Sequence, residues 1–437
     1  MKREKTFTGA IEPKILLSKA NEMNYSLFTF HFSLYTKLFT FLSFYAKIAI
    51  MNIIKINDTS NKLFYIGGVV RDELLGLKSF DVDITYVGNA IEYCSKFGEV
   101  VQENPDFGTI RVKMSSTIQQ GSKDFALSTS GEYKVSEKMY VDFASTRSEY
   151  YPKKGHLPVV NKIGCSLKED VLRRDFTINA LAKSVTTGEI VDYVGGLKDI
   201  KNKKLRVLHD KSFIDDPTRI IRGLKFSVRF GFELDEHTKK LQDEYLANIN
   251  YDMSYKRVKK ELIETFSLNS QVAFEKFINE KIYKLVTPND IELPKINIEK
   301  LIEQYSVEKI QPFSALWLVY VGVLTDLSRI PLTKIEQKIL DDVPKKVLKS
   351  DFELYKAFEK VNIESILLYA ILKDEKGARH YLDDLQNIKL EITGKDLQNL
   401  GIKPSPKYQK IFDEVLKEKL KNPSMTKKDE IDVAILV

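Results

Sequence analysis

Past residue 60 the chain carries two rhythms of apolar and polar positions. In FDVDITYV, Val82 and Ile84 alternate with Asp81, Asp83 and Thr85, the two-residue period of a strand with one face in water. Comparable runs predict strands at Leu63–Ile66, Asp81–Val87, Gly98–Gln102, Thr109–Met114 and Met139–Ser145, with a helix near Ala90–Phe97. Between the first two strands, GGVVRDELLG places Val70, Leu74 and Leu75 at helical spacing, which predicts a short amphipathic helix closed by Gly76. EDVLRRDFTINALA (169–182) reads as a further helix, with Leu172, Phe176, Asn179 and Ala180 on one side and Arg173, Arg174 and Asp175 on another.

From about residue 200 the three-to-four-residue period dominates and strand patterns nearly vanish. The pattern predicts a compact α/β head followed by a long helical remainder, with no tandem repeat. Polar breaks divide it into a head at 51–195 and helical segments at 196–265, 266–370 and 371–437. The polar, serine-rich stretch Gly121–Gly131 reads as a surface hairpin or loop.

Residues 1–50 stand apart. They are rich in aromatics, but His31, Lys37 and Lys47 interrupt every apolar run before it could span a bilayer. Few acids and many hydroxyls suit an organellar or membrane-targeting segment. The preferred reading is that the functional protein starts at Met51, because sixteen residues still precede Gly67 and suffice for one lead-in strand.

Composition narrows the function. Cys94 and Cys165 are the only cysteines, which excludes a disulfide scaffold and a cysteine-built zinc site and suits a reducing cytoplasm. Five scattered histidines form no metal-ligand spacing, and no G-x-x-x-x-G-K-[ST] phosphate loop occurs. The balance of 68 basic and 61 acidic residues permits a nucleic-acid partner without arguing for one. Residues 201–229 are more telling, with nine Lys or Arg against three Asp.

The candidate chemistry begins at Asp81 and Asp83, which alternation sets on one strand face one repeat apart. Two such carboxylates either face water or hold a cation between them. A hard divalent ion such as Mg2+ takes oxygen ligands and keeps positions open for phosphate and water. Upstream, Gly67 and Gly68 have no side chains to keep backbone N–H groups from an anion at a helix start. Strand, Gly-Gly, short helix and Asp-x-Asp strand together suit metal-dependent nucleotidyl transfer.

In MYVDFAS (139–145) the one acid, Asp142, is either a solvated strand residue or the third carboxylate of a metal cage with Asp81 and Asp83. Arg174 and its neighbours form either a basic helix face or a triphosphate site, with Asp175 suited to a ribose hydroxyl. In DDPTRIIRGLKFSVRFGF (215–232), Pro217 opens a helix, and Asp216 and Arg219 are three apart. They form either an ordinary salt bridge or a base-reading pair. A carboxylate beside a guanidinium complements the amine-and-ring-nitrogen edge of both cytosine and adenine, and mismatches uracil and guanine.

GGVVRDELLG with DVD, LRRDFTINALA, VDYVGGLKDI and DDPTRIIRGLKFSVRF occur in this order. So ordered, they resemble the class II tRNA nucleotidyltransferase and poly(A) polymerase family. MSYKRVKKEL (253–262) and ITGKDLQNLGIKPSP (392–406) are similar to its later helical motifs, so the resemblance covers roughly 60–437. It implies a polymerase-β-like nucleotidyltransferase head with a small mixed sheet, then an all-α neck, body and tail. Asp81 and Asp83 would bind Mg2+, with Asp142 as a third catalytic carboxylate. Gly67, Gly68, Arg71, Arg174, Asp175, Asn179 and Arg222 would line the nucleotide, and Asp216 with Arg219 would select its base. The implied partners are CTP, ATP and the tRNA 3′ end, with no membrane, for a cytoplasmic monomer or homodimer.

Two departures from the family pattern stand out. Its usual Glu-Asp at the start of the templating helix is Asp215-Asp216 here, and FGTIRVKM (107–114) lacks the apolar-Gly-basic-Arg-Phe stretch typical of poly(A) members. The expected activity is therefore CCA addition. CC-only or A-only addition, poly(A) synthesis and non-catalytic RNA binding are the alternatives, and the loop Ser148–Asn161 is where partial specificities would be set.

Overall fold

The structure, a computed structural model, describes residues 56, 58, 60–77, 82–114, 139–306 and 313–437. Asp81, the Gly121–Gly131 stretch and residues 1–50 lie outside the described residues. The chain divides into two compact units. One comprises the residues up to Thr146 with Leu181–Val191, the other Arg147–Ala180 with Asp192–Val437.

The first unit is a mixed seven-stranded sheet carrying short helices. Its elements are β1 (Leu63–Ile66), α1 (Gly68–Leu74), β2 (Asp83–Tyr86), α2 (Ala90–Cys94), β3 (Gly98–Asn104), β4 (Thr109–Met114) and β5 (Met139–Ser145). The strands β8 (Ala182–Ser184) and β9 (Ile190–Val191) return to it later in the chain, giving the order β3-β4-β5-β2-β1-β8-β9. The alternation read from the sequence is what the sheet buries: Ile84, Ile110, Val112, Val141 and Phe143 are all at most 2% exposed. Each such side chain taken out of water contributes about 1.5–3 kcal/mol. All five strands expected from alternation are present, β3 running two residues further and β2 confined to Asp83–Tyr86.

The second unit holds the hairpin β6 (Arg147–Tyr150) and β7 (Val159–Ile163), followed by α3 (Leu167–Leu172), α4 (Gly196–Lys201) and β10 (Lys204–Leu205). Next come α5 (Ser212–Asp215), α6 (Thr218–Phe230), β11 (Glu233–Leu234), α7 (Glu236–Ala247) and α8 (Tyr255–Phe266). Among the described residues, ten further helices follow, from α9 (Gln271–Asn279) to α18 (Lys427–Ile435), as the helical rhythm predicts. The ITGKDLQNLGIKPSP segment contributes Ile392 and Leu397 to a small core with Ile411, Val415 and Ala434. No helix among the described residues is long and apolar enough to cross a membrane.

Two expectations are corrected here. Residues 169–182 are not one helix: α3 ends at Leu172, and a single 3-10 turn at Thr177–Asn179 follows. Leu172 is exposed, whereas Phe176 is buried in an extended conformation and bridges to Val207. The physical reason is local. The Asp175 carboxylate accepts the Phe176 N–H at 2.8 Å, a side-chain bond that competes with helix continuation. Likewise Ser148–Asn161 is not a plain loop, since its ends pair as β6 and β7 and leave 151–158 as the turn.

Candidate active site

In the first unit β2 and β5 are parallel neighbours, and Asp83 is the register partner of Asp142. Paired residues of parallel strands share a sheet face about one strand spacing apart. Both aspartates are exposed, while the next register pair, Ile84 and Phe143, is buried on the opposite face. Across the other edge of β5, Arg111 on β4 is the antiparallel partner of Asp142. Its Nε donates to Oδ1 and its Nη2 to Oδ2, both at 2.7 Å, a two-pronged ion pair that raises the arginine's pKa.

The residues present suit a divalent cation. Asp83 and Asp142 supply hard oxygen donors side by side, and the Arg111 fork engages one lone pair of each Asp142 oxygen while a second remains on each. Among the described residues no group of three His, Cys, Asp or Glu side chains is gathered around one point. Asp81, expected to contribute the next carboxylate, is not among them.

Beside these strands, Gly67 caps α1 at φ 73°, ψ −122°, a conformation that only glycine adopts without strain. The Arg71 guanidinium, expected at the nucleotide, is buried and donates to Asp72 from Nε at 2.8 Å and Nη2 at 2.6 Å.

The second unit gathers the remaining predicted residues. The buried Asp170 draws back both arginines that follow α3, Arg173 at 2.9 Å and Arg174 at 3.5 Å. Asp175 then faces α6. Its Oδ1 accepts from Asn179 Nδ2 at 2.9 Å, and its Oδ2 accepts from Arg222 Nε at 2.8 Å and lies 2.7 Å from Nη2. Burial alone would push this carboxyl upward; the Arg222 guanidinium, the Asn179 amide and Arg219 outweigh it and hold the group well below the usual carboxylate range. Arg222 also donates to Glu261 on α8 at 3.1 Å. Arg174, Asp175, Asn179 and Arg222 thus form one hydrogen-bonded group, closed by Arg174 Nη1 on the Asn179 carbonyl at 3.5 Å.

Asp216 and Arg219 are both 4% exposed, but they are not the simple helical ion pair that their spacing suggests. Asp216 lies outside α6 at φ −142°, ψ 90°, and its Oδ2 is 4.0 Å from the Arg219 Nε. Arg219 spends its terminal nitrogens elsewhere: Nη1 donates to Ser212 Oγ at 2.7 Å, and Nη2 to the Arg173 carbonyl at 3.1 Å and the Tyr151 hydroxyl at 3.3 Å. Burial pushes the Tyr151 phenol up, so the hydroxyl stays protonated at neutral pH. A cavity of about 410 Å³ opens beside these groups, with Tyr151, Arg173, His209, Asp215 and Arg219 in its wall. Its size is in the range of small-molecule sites. Sequence reasoning missed Tyr151, Ser212 and Arg257, the last of which binds Asp216. Tyr151 had a signal in its place within Ser148–Asn161 and Arg257 in its place in MSYKRVKKEL, but nothing in the latter segment pointed back 41 residues.

The chain is similar to known proteins along most of its length. Residues 63–206 match the poly A polymerase head domain. The chain is 28% identical over 420 residues to an A-adding tRNA nucleotidyltransferase of Geobacter sulfurreducens, covering 85% of this chain but 45% of that protein. It is 29% identical over 399 residues to an A-adding tRNA nucleotidyltransferase of Halalkalibacterium halodurans, covering 85% and 88%. Its fold is similar to that of a CCA-adding enzyme solved in an apo form, with a TM-score of 0.70, 24% identity, and 86% and 91% of the two chains covered. The chain therefore spans under half the length of its Geobacter relative and nearly the whole of the Halalkalibacterium one. With a match to the poly A polymerase head domain at 63–206 and these relatives along most of its length, the chain is similar to the family of tRNA nucleotidyltransferases and poly(A) polymerases.

Proposed function

We propose that the protein is a tRNA nucleotidyltransferase that builds CCA on the tRNA 3′ end from CTP and ATP, releasing pyrophosphate. The observation that carries this reading is the register pair Asp83–Asp142 on the exposed face of a sheet belonging to this family's head. The tRNA 3′-hydroxyl attacks the nucleotide α-phosphate and the bond to pyrophosphate breaks. Asp83 and Asp142, joined by Asp81, would hold Mg2+. When bound there, the ion supplies polarisation of the α-phosphate and acidification of the attacking hydroxyl.

The remaining roles belong to the chain itself. Asp175 and Asn179 meet the ribose hydroxyls, and Arg174 meets the phosphates. Arg222 holds Asp175 in orientation. Asp216 accepts the exocyclic amine of cytosine or adenine, and Arg219 donates to the neighbouring ring nitrogen. The helical segments grip the tRNA chiefly through phosphates, so binding weakens with salt. Cys94 and Cys165, both buried and neither in a disulfide, support a reducing, cytoplasmic setting.

A second reading is favoured by one finding. Both named relatives are A-adding tRNA nucleotidyltransferases, and on the reading that this chain adds A it would complete tRNAs already ending in CC. One experiment separates the readings. The protein is incubated with Mg2+ and tRNA ending at the discriminator base, in C or in CC, with CTP and ATP singly and together. Full CCA addition requires CTP incorporation on the first two ends. Incorporation of A on the CC end alone identifies the A-adding activity, processive A tracts identify poly(A) synthesis, and no incorporation on any end rejects the proposal.

A further inference from the structure

We propose that Arg257, in the first turn of α8, is the residue that orients the base-reading carboxylate of Asp216 and thereby sets nucleotide selectivity. The inference rests on the reading of Asp216 and Arg219 as the base-selecting pair.

Asp216 sits in the link between α5 and α6, so no helix fixes it. Its carboxylate is held from two sides. Oδ1 accepts the Thr218 N–H at 3.2 Å and the Thr218 hydroxyl at 2.5 Å, while Oδ2 accepts from Arg257 Nη2. The second arm of Arg257, Nη1, donates to the His156 carbonyl at 3.3 Å. Arg219 does not do this work here, because its terminal nitrogens bond Ser212, Tyr151 and the Arg173 carbonyl and its Nε stands 4.0 Å from Oδ2.

The start of α8 is itself tied to Asp216 by backbone. Gly155 donates its N–H to the Asp215 carbonyl and accepts from the Ser254 N–H, both at 2.9 Å. At φ +76° it leaves no room for a side chain, since a Cβ would lie 3.0 Å from the Asp252 carbonyl oxygen. One residue thus joins the two backbones that carry Asp216 and Arg257.

The consequence concerns orientation. The terminal torsion of an aspartate is broad and fixed only by its partners. With Thr218 and Arg257 on opposite oxygens the carboxylate plane is set, and Oδ2 keeps a second lone pair for a base amine. Without Arg257 the nearest cation is Arg219, at 4.0 Å. The carboxylate would then turn onto its own reading partner, and the pair would bind itself rather than a base edge.

The test measures kcat/KM for CTP, ATP, UTP and GTP on full-length wild type, Arg257→Met, Arg257→Lys, Asp216→Ala and the Arg257→Met/Asp216→Ala double variant, with thermal melting as a check of fold. Arg257→Met is expected to reduce discrimination of CTP over UTP by about tenfold, the scale of one misplaced hydrogen bond. Arg257→Lys is expected to recover part of it. In the Asp216→Ala background the same substitution should leave discrimination as it is, because Arg257 acts through Asp216. Wild-type discrimination in Arg257→Met, or independent losses that multiply in the double variant, would overturn the inference while leaving the activity standing. Should Arg257→Met not fold, Thr218→Val removes the hydroxyl from the opposite hold and leaves the backbone N–H; it is expected to relax selectivity in the same direction, and unchanged selectivity there overturns the inference. A wild type inactive on every tRNA end overturns the proposed activity and this inference together.

Discussion

Asp83 and Asp142, 59 residues apart in the chain, are register partners on the exposed face of one sheet. Two carboxylates so placed act on a bound cation, and through it mainly on the transition state. Asp83→Asn and Asp142→Asn are each expected to lower nucleotide incorporation by about a hundredfold or more, the scale of losing one electrostatic stabiliser. tRNA affinity, measured by filter binding, should stay within a few-fold. Arg111→Met provides the contrast. Its ion pair with Asp142 is about half exposed on both sides, so its loss should change stability little. Near-normal incorporation in Asp142→Asn would reduce that residue to the anchor of a surface arginine.

The turn into α1 makes a separate claim. Gly67 holds a backbone conformation that costs other residues about 1–3 kcal/mol. Gly67→Ala should therefore lower stability by that amount in urea denaturation, and activity with it, by displacing the start of α1. A variant as stable and as active as wild type would show that the turn carries no strain.

The sequence was legible wherever one residue's neighbours decide its structure. Alternation in DVDITYV and MYVDFAS reported which side of each strand is buried, and Pro217 reported where α6 begins. It was misleading at 169–182, where Leu172, Phe176 and Asn179 fit a helical period but Asp175 binds its own following N–H and Phe176 pairs with Val207. Strand register was not legible at all. Nothing local to Asp142 announces Asp83 on one side and Arg111 on the other, because pairing is settled by the sheet as a whole. The same holds for Asp216, whose spacing to Arg219 predicted a contact that Arg257 in fact makes.

The proposed base-reading role of Asp216 and Arg219 predicts a specific change of substrate preference. On that reading Asp216→Ala removes the acceptor for the exocyclic amine, so preference for CTP over UTP should fall by about tenfold. Arg219→Ala should depress CTP and ATP use together, since both bases offer it a ring nitrogen. It should also loosen the turn at Ser212, because Ser212 and the Arg173 carbonyl lose a buried donor. Incorporation from each of the four nucleotides separates these outcomes. Unchanged preference in both variants would make the pair purely structural.

Asp175 and Arg222 make the stability of the second unit depend on acid. The folded carboxyl titrates well below its unfolded value of about 3.9, because Arg222, Asn179 and Arg219 favour its charged form more than burial opposes it. Below that unfolded value the unfolded chain binds a proton that the folded one refuses, so stability falls as pH falls. The contribution is fully present above about pH 5 and is lost progressively on acidification from about pH 4 toward the folded value. Asp175→Asn keeps the shape but removes the charge. It leaves Arg222 with Glu261 alone, and at pH 7 it should cost about 3 kcal/mol, the low end for breaking a buried ion pair. The gap between wild type and variant should narrow in thermal melts stepped from pH 7 to pH 3, because acid removes from the wild type what the substitution has already removed. A gap that stayed constant through pH 3 would mean that the ion pair contributes geometry to the site but no acid-sensitive stability.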